Sequence, residues 1–242
     1  MKDTPAIQLW HAGSSSDEPG LLERCCESLL SDEELLRANQ FRVPTSRNQH
    51  VVGRGMARRL LGRGQVEPEE ICFAIEKNGK PYVTQPSWAR CPFNIAHTDG
   101  LVMCGIGTEC QGLLGVDVEK TSRRTDPALA DRYFSQPEIE ILRRCGSENV
   151  RRNTFLKIWT LKEAFIKAIG TGLRTPLAEF AFERIDSRNP VIRMLNPDLE
   201  SIAHWSFFLM EPRPGYIGAV AFGADSAAQQ PDLKLQRFED VL

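Results

Sequence analysis

No stretch of this 242-residue chain comes near the roughly 18 consecutive apolar residues that a membrane-spanning helix needs. Its amino terminus also lacks the apolar core of a secretory signal, reading M-K-D-T-P-A-I-Q-L-W-H. Charge of one sign is missing in excess as well. Thirty Lys and Arg stand against 32 Asp and Glu, leaving a net charge of −2 and excluding the marked basic surplus of a general nucleic-acid binder. The seven cysteines (Cys25, Cys26, Cys72, Cys91, Cys104, Cys110 and Cys145) are odd in number, form no C-x-x-C and share no zinc spacing with histidine. Neither a disulfide framework nor a zinc site follows from them, and reduced thiols are expected. Together these absences predict a cytoplasmic chain with no membrane and no nucleic-acid partner.

What is present is an ordinary globular composition, 41% apolar and 26% charged, enough for one large domain or two halves of about 100–120 residues. A strand at 6–10 leads through a Gly/Ser stretch to an apolar segment at 21–30. The S-D-E-E at Ser31 to Glu34 is a capping box and opens a helix. A second helix is expected over 48–61, stopped by Gly62 and Gly64. Strands follow at 71–75, 93–96, 101–106 and 113–119, with turns at Asn78-Gly79 and Asp99-Gly100. Helices then recur over 127–133, 137–145 and 154–169, and strands at 180–184, 191–194, 205–210 and 217–222. Helices then strands, twice over, predict an α+β fold made of two similar halves. The expected divisions are 1–110, 111–225 and a polar tail at 226–242. Arginines cluster at Arg54, Arg58, Arg59 and Arg63 and again at Arg143, Arg144, Arg151 and Arg152, which reads as two solvated helix faces.

Three segments carry chemistry: F-N-I-A-H-T-D-G from Phe93, G-V-D-V-E-K from Gly115 and W-T-L-K-E-A-F-I-K from Trp159. In a strand, Asp117 and Glu119 share one face, and paired carboxylates among apolar residues are costly unless a cation joins them. Glu163 and Lys167 stand at i, i+4 on an otherwise apolar helix that ends at Gly170-Thr171-Gly172. Singly, each has a plain alternative: a half-exposed strand, a surface ion pair and a structural histidine at His97. Together, Asp117, Glu119 and Glu163 supply three hard oxygen ligands, and His97, Lys167 and Lys80 supply donors for phosphate. That combination suits Mg²⁺ held with a pyrophosphate.

The three blocks, in this order, resemble the 4′-phosphopantetheinyl transferases, and in particular the large monomeric type found with peptide and polyketide synthases. N-G-K-P-Y at Asn78 to Tyr82 and P-G-Y-I-G-A-V-A from Pro214 extend the resemblance over most of the chain. The resemblance implies two α+β halves with the active site in a cleft between them. It implies Mg²⁺ on Asp117, Glu119 and Glu163, and coenzyme A as co-substrate. Lys167 would meet the pyrophosphate, His97 and Thr98 the nucleotide phosphates, Gly79, Lys80 and Pro81 the adenine and ribose phosphate, and Arg37 the 3′-phosphate. Glu163 would act as base for a serine of an apo acyl or peptidyl carrier protein, with Lys167 as the second catalytic residue. The basic loop Lys120, Arg123 and Arg124 would dock the carrier. Two positions depart from the family pattern: Ala96 replaces a small hydroxyl residue before the histidine, and Glu34 stands where an early cation is common. Two other readings share these residues, a non-catalytic coenzyme A-binding relative and a magnesium-dependent phosphoesterase.

Overall fold

The computed structural model describes residues 6–108, 112–200, 202–225 and 230–242. Cys110 lies outside them. The chain folds as two compact units, one reaching to Gly112 and taking in Pro231–Leu242, the other running Leu113–Gln230.

In chain order the first unit holds β1 (Ala6–Gly13), α1 (Leu21–Glu27), α2 (Asp32–Ala38), α3 (Pro44–Gly62), β2 (Cys72–Ile75), β3 (Pro81–Gln85), β4 (Phe93–Thr98) and β5 (Leu101–Gly107). The second holds β6 (Leu113–Lys120), α4 (Ala130–Tyr133), α5 (Gln136–Arg143), α6 (Glu148–Ile169), β7 (Phe180–Glu183), β8 (Val191–Met194), β9 (His204–Met210) and β10 (Tyr216–Ala224). The last strand, β11 (Asp232–Arg237), belongs to the first unit. The architecture is mixed α+β, as the alternation of helical and strand segments predicts. No helix among the described residues is long and apolar enough to cross a membrane.

The first unit is a four-stranded sheet ordered β11-β1-β5-β4 beside the hairpin β2–β3. Helix α3 starts at Pro44, four residues before the expected boundary, because proline at the first helical position forfeits no hydrogen bond. It ends where Arg63 turns left-handed at φ 51°. Val51, Val52, Met56 and Leu61 put its apolar stripe into the core against Val102, Cys104 and Phe93. The expected cap of α2 is present: Ser31 Oγ accepts from Glu34 N, and the Glu34 carboxylate accepts from Ser31 N.

Two sequence expectations change here. The first arginine cluster divides: Arg59 and Arg63 are exposed as expected, but Arg58 is 4% exposed, and the guanidiniums of Arg54 and Arg58 converge on the buried carboxylate of Glu34. Arg58 also donates to the carbonyls of Pro68 and Ile71, and Arg54 lies 4.2 Å over the Phe73 ring. A helix face reads as solvated until partners distant in sequence arrive to satisfy its charges. In the second cluster Arg143 and Arg144 do lie out in solvent, making only exposed pairs, whereas Arg151 and Arg152 are half-buried. The polar tail, too, contains a strand. β11 runs parallel to β1, pairing Leu233 with Ile7 and Leu235 with Leu9, and the following turn buries Phe238 completely.

The second unit is the antiparallel sheet β6-β10-β9, with the hairpin β7–β8. Helix α6 begins at Glu148, six residues before the expected 154–169 span, capped by Ser147, whose hydroxyl accepts from Val150 N. The expected helix over 127–133 divides into a 3-10 turn, Pro127–Leu129, and α4. Apolar residues of α6 pack with Phe180, Phe182, Phe207 and Ala219 in one core. Its approach to β6 is close. A Cβ at Gly115 would overlap the Ala164 carbonyl oxygen and the Ala168 amide, both backbone atoms of α6. Only glycine lets the helix lie this near the strand.

Two substitutions test this packing. Gly115→Ala has no flexible neighbour to displace, so it should cost about 3 kcal/mol or more in denaturant unfolding; an unchanged midpoint would mean the strand and helix are further apart. Phe238→Ala should cost about 3–5 kcal/mol. A neutral result there would place the tail outside the core.

Candidate functional site

The alternation of β6 sets Gly115, Asp117 and Glu119 on one face, and Gly115 is the position that meets α6. The two carboxylates therefore lie on the helix side of the strand. Asp117 is 6% and Glu119 7% exposed. Their register on β10 is opposite Ala219 and Ile217, so the neighbouring strand offers them no polar side chain.

From α6, one helical turn apart, come Glu163 and Lys167. Lys167 does not remain a local partner of Glu163 alone: its Nζ reaches Asp117 Oδ1 at 2.7 Å. Glu119 is paired with Arg123, which the chain turns back over it from the loop after β6. The second oxygen of Asp117, Oδ2, is buried with no hydrogen-bond partner. Among the described residues, no group of three or more His, Cys, Asp or Glu side chains is already gathered as a metal-binding cluster. The three acids are nonetheless close enough to act on one another electrostatically.

All three carboxyls sit above their ordinary range. For Asp117 the cause is burial, opposed by Lys167. For Glu119 it is burial and then the charge of Asp117. Glu163 is raised by burial, then by Asp117, with a further contribution from Glu119. A buried cluster of like charges costs stability that a multivalent cation would return.

The phosphate-binding candidates lie in the first unit. His97 and Thr98 end β4, where the Asp99-Gly100 turn leads into β5 and Gly100 takes φ 80°. His97 is exposed. Gln49 Nε2 donates to Thr98 O at 2.8 Å and ties the turn to α3. Ala96 is buried and offers no hydroxyl. Gly79, at φ 89°, closes the β2–β3 turn by donating to Glu76 O, and Pro81 opens β3. Burial lowers the Lys80 ammonium to about 8.

Arg37 lies exposed in the last turn of α2. It shares a field with two residues that sequence reasoning did not select, His50 and Arg54. Burial pushes His50 down to about 4, with Arg54, Arg37 and His97 acting in the same direction. The only sequence signal for this grouping was the helical spacing of His50 and Arg54. Glu34 does not oppose it as an open negative charge, because Arg54 and Arg58 both pair with it.

The acid cluster has a consequence for stability. With raised values in the folded state, the folded protein holds these protons more tightly than the unfolded chain does. That contribution is complete at acid pH and is lost as pH rises through the raised values, so at neutral pH the three charges oppose folding. Glu163→Gln keeps the shape and removes one charge. It should raise Tm by about 2 °C or more near neutral pH, with the gain fading as the pH falls and the wild-type carboxyl, raised by burial, takes up its proton. A lowered Tm in calorimetry would show that Glu163 is stabilised by partners instead.

Residues 113–221, which hold the acid cluster and Lys167, match the 4′-phosphopantetheinyl transferase superfamily. Over 219 residues the chain is 30% identical to the 4′-phosphopantetheinyl transferase HetI of Nostoc sp., covering 89% of this chain and 86% of that one. It is 26% identical over 216 residues to the 4′-phosphopantetheinyl transferase Sfp of Bacillus subtilis, with 89% and 91% covered. A third relative, psf-1 of Bacillus pumilus, is 29% identical over 206 residues, 84% of this chain and 83% of that protein. The chain belongs to the 4′-phosphopantetheinyl transferase family, and within it to the Sfp type.

Proposed function

We propose that this chain transfers the 4′-phosphopantetheine arm of coenzyme A to a serine of an apo acyl or peptidyl carrier protein, leaving holo carrier and 3′,5′-adenosine bisphosphate. The observation that carries this reading is the acid cluster: Asp117 and Glu119 on β6 and Glu163 on α6, with Lys167 bonded to Asp117, all within the segment shared with the transferase superfamily. The named relatives are transferases, which leaves the non-catalytic and phosphoesterase alternatives without an observation in their favour.

The donor set suits Mg²⁺. It consists of hard carboxylate oxygens, one of which, Asp117 Oδ2, is buried and without a partner. Asp117, Glu119 and Glu163 would hold the ion, which when bound supplies positive charge to the pyrophosphate of coenzyme A.

The chain's own residues do the rest. A serine hydroxyl is a weak nucleophile at neutral pH and needs a proton acceptor. Glu163 takes that proton, directly or through one water. The serine oxygen bonds to the β-phosphorus, and the bond from that phosphorus to the bridging oxygen breaks with departure of the nucleotide. Lys167 exchanges its bond to Asp117 for the departing phosphate and offsets the charge that develops there. In the first unit, Arg37, His97 and Thr98 meet the nucleotide phosphates, and Gly79, Lys80 and Pro81 meet the adenine and ribose phosphate. His50 and Arg54 add to the field around Arg37. The loop bearing Lys120, Arg123 and Arg124 receives the acidic carrier. The reading takes the enzyme as a cytoplasmic monomer.

The test is intact-protein mass spectrometry of an apo peptidyl carrier incubated with the chain, coenzyme A and Mg²⁺. A gain of one phosphopantetheine arm, abolished by EDTA, is expected. Glu163→Gln should bind coenzyme A almost normally and turn over at least about 100-fold more slowly. Wild-type turnover in that variant would remove Glu163 as the base, and no gain with any acyl or peptidyl carrier would remove the transferase reading for this chain.

A further inference from the structure

Strand β6 ends at Lys120, and the chain turns at once, with Arg123 N donating to Lys120 O at 2.9 Å. The turn folds the Arg123 side chain back on the strand it has just left. Its Nη1 donates to Glu119 Oε1. The two ends of this contact differ in environment: the Glu119 side chain is 9% exposed, whereas that of Arg123 is 48% exposed. A long side chain thus reaches in from solvent to neutralise a buried carboxylate.

Arg123 acts beyond Glu119. It is a counter-charge for Asp117 and for Glu163 as well. Three carboxylates are therefore balanced by two cations in this structure, Lys167 from the helix and Arg123 from the loop. The two are not equivalent. Lys167 is the less exposed of the two, at 31% against 48% for Arg123, and Arg123, on a loop, can withdraw to water by rotating its side chain, regaining most of its hydration at small cost.

We infer that Arg123 sets the metal affinity of this site: its guanidinium is a built-in counter-ion for Glu119 that a divalent cation must displace. This rests on the reading of Asp117, Glu119 and Glu163 as the metal ligands. The guanidinium competes with a metal ion for Glu119 Oε1, and left on that carboxylate beside a dication it would be repelled. The metal-free protein keeps its acid cluster tolerable by lending it Arg123, and metal binding costs the release of that contact. The apparent affinity is then reduced by the fraction of molecules in which the pair is closed.

The experiment is a calorimetric titration of Mn²⁺, and separately Mg²⁺, into the full chain without coenzyme A. Wild type is compared with Arg123→Gln and with Arg124→Gln, its exposed neighbour in the same loop. Both variants lose one positive charge, so a general field effect moves both alike. Arg123→Gln should bind the ion about tenfold more tightly, as expected if the pair is closed about nine-tenths of the time, and Arg124→Gln should change far less. The rise in Tm on adding Mn²⁺ should also be larger for Arg123→Gln than for wild type. Equal or weaker binding by Arg123→Gln overturns the inference, as does equal tightening in both variants. In those cases ordinary metal binding by wild type leaves the proposed function standing. If no protein binds metal with or without coenzyme A, the metal assignment itself fails and the inference falls with it.

Discussion

The approach of α6 to β6 across Gly115 is the constraint on which the site depends. A side chain there would push the helix away from the strand, since the atoms it would meet are backbone atoms of Ala164 and Ala168. With glycine in place, the helix comes close enough for Lys167 to reach Asp117 and for Glu163 to feel both strand carboxylates. The same contact that gives the unit its packing also brings together charges that repel. Close packing of apolar surface supplies the stability that the acids withdraw.

Helix α6 is held from its other side by a second buried charge. Lys162 is fully buried, 2.8 Å from the equally buried Glu138. Its ammonium also donates to the carbonyls of Leu177 and Phe180, at 2.6 and 2.7 Å. Glu138 in turn accepts from Ser135 and from Phe182 N. Every strong donor and acceptor in this group is matched, which is the condition under which a buried ion pair is tolerated. Burial still draws the Lys162 ammonium down to about 8, against the pull of Glu138. Neighbouring residues on one helix thus meet opposite fates. Lys162 is locked into a satisfied network, while Glu163 remains in a cluster whose charges are incompletely matched, the kind of place that marks a candidate site.

The first unit handles positive charge in a comparable way. Glu34 caps α2 and at the same time receives Arg54 and Arg58 from α3. Arg58 is consumed by this structural duty. Arg54 is shared between Glu34, the face of Phe73 and the field around His50 and Arg37. A carboxylate that looked, in sequence, like a misplaced charge in an anion-binding region is what holds the arginines in position.

Much of the site was legible because its logic is local. Alternation in G-V-D-V-E places Asp117 and Glu119 on one face whatever the strand packs against, and a separation of four places Glu163 and Lys167 on one face of any helix. The S-x-x-E cap and the Asn-Gly and Asp-Gly turns are equally local and appear where the pattern put them. Partners were not legible, because they are chosen by distances that spacing does not encode. Lys167 pairs with a residue fifty positions earlier, Arg58 with one 24 positions earlier, and Lys162 with Glu138. The polar tail shows the same limit: a strand on a sheet edge needs only part of its surface buried, so β11 carries little apolar pattern until β1 is beside it. What the sequence determined by itself was which groups could meet; which of them do, and which are buried at a cost, was decided by the tertiary contacts that bring distant segments together.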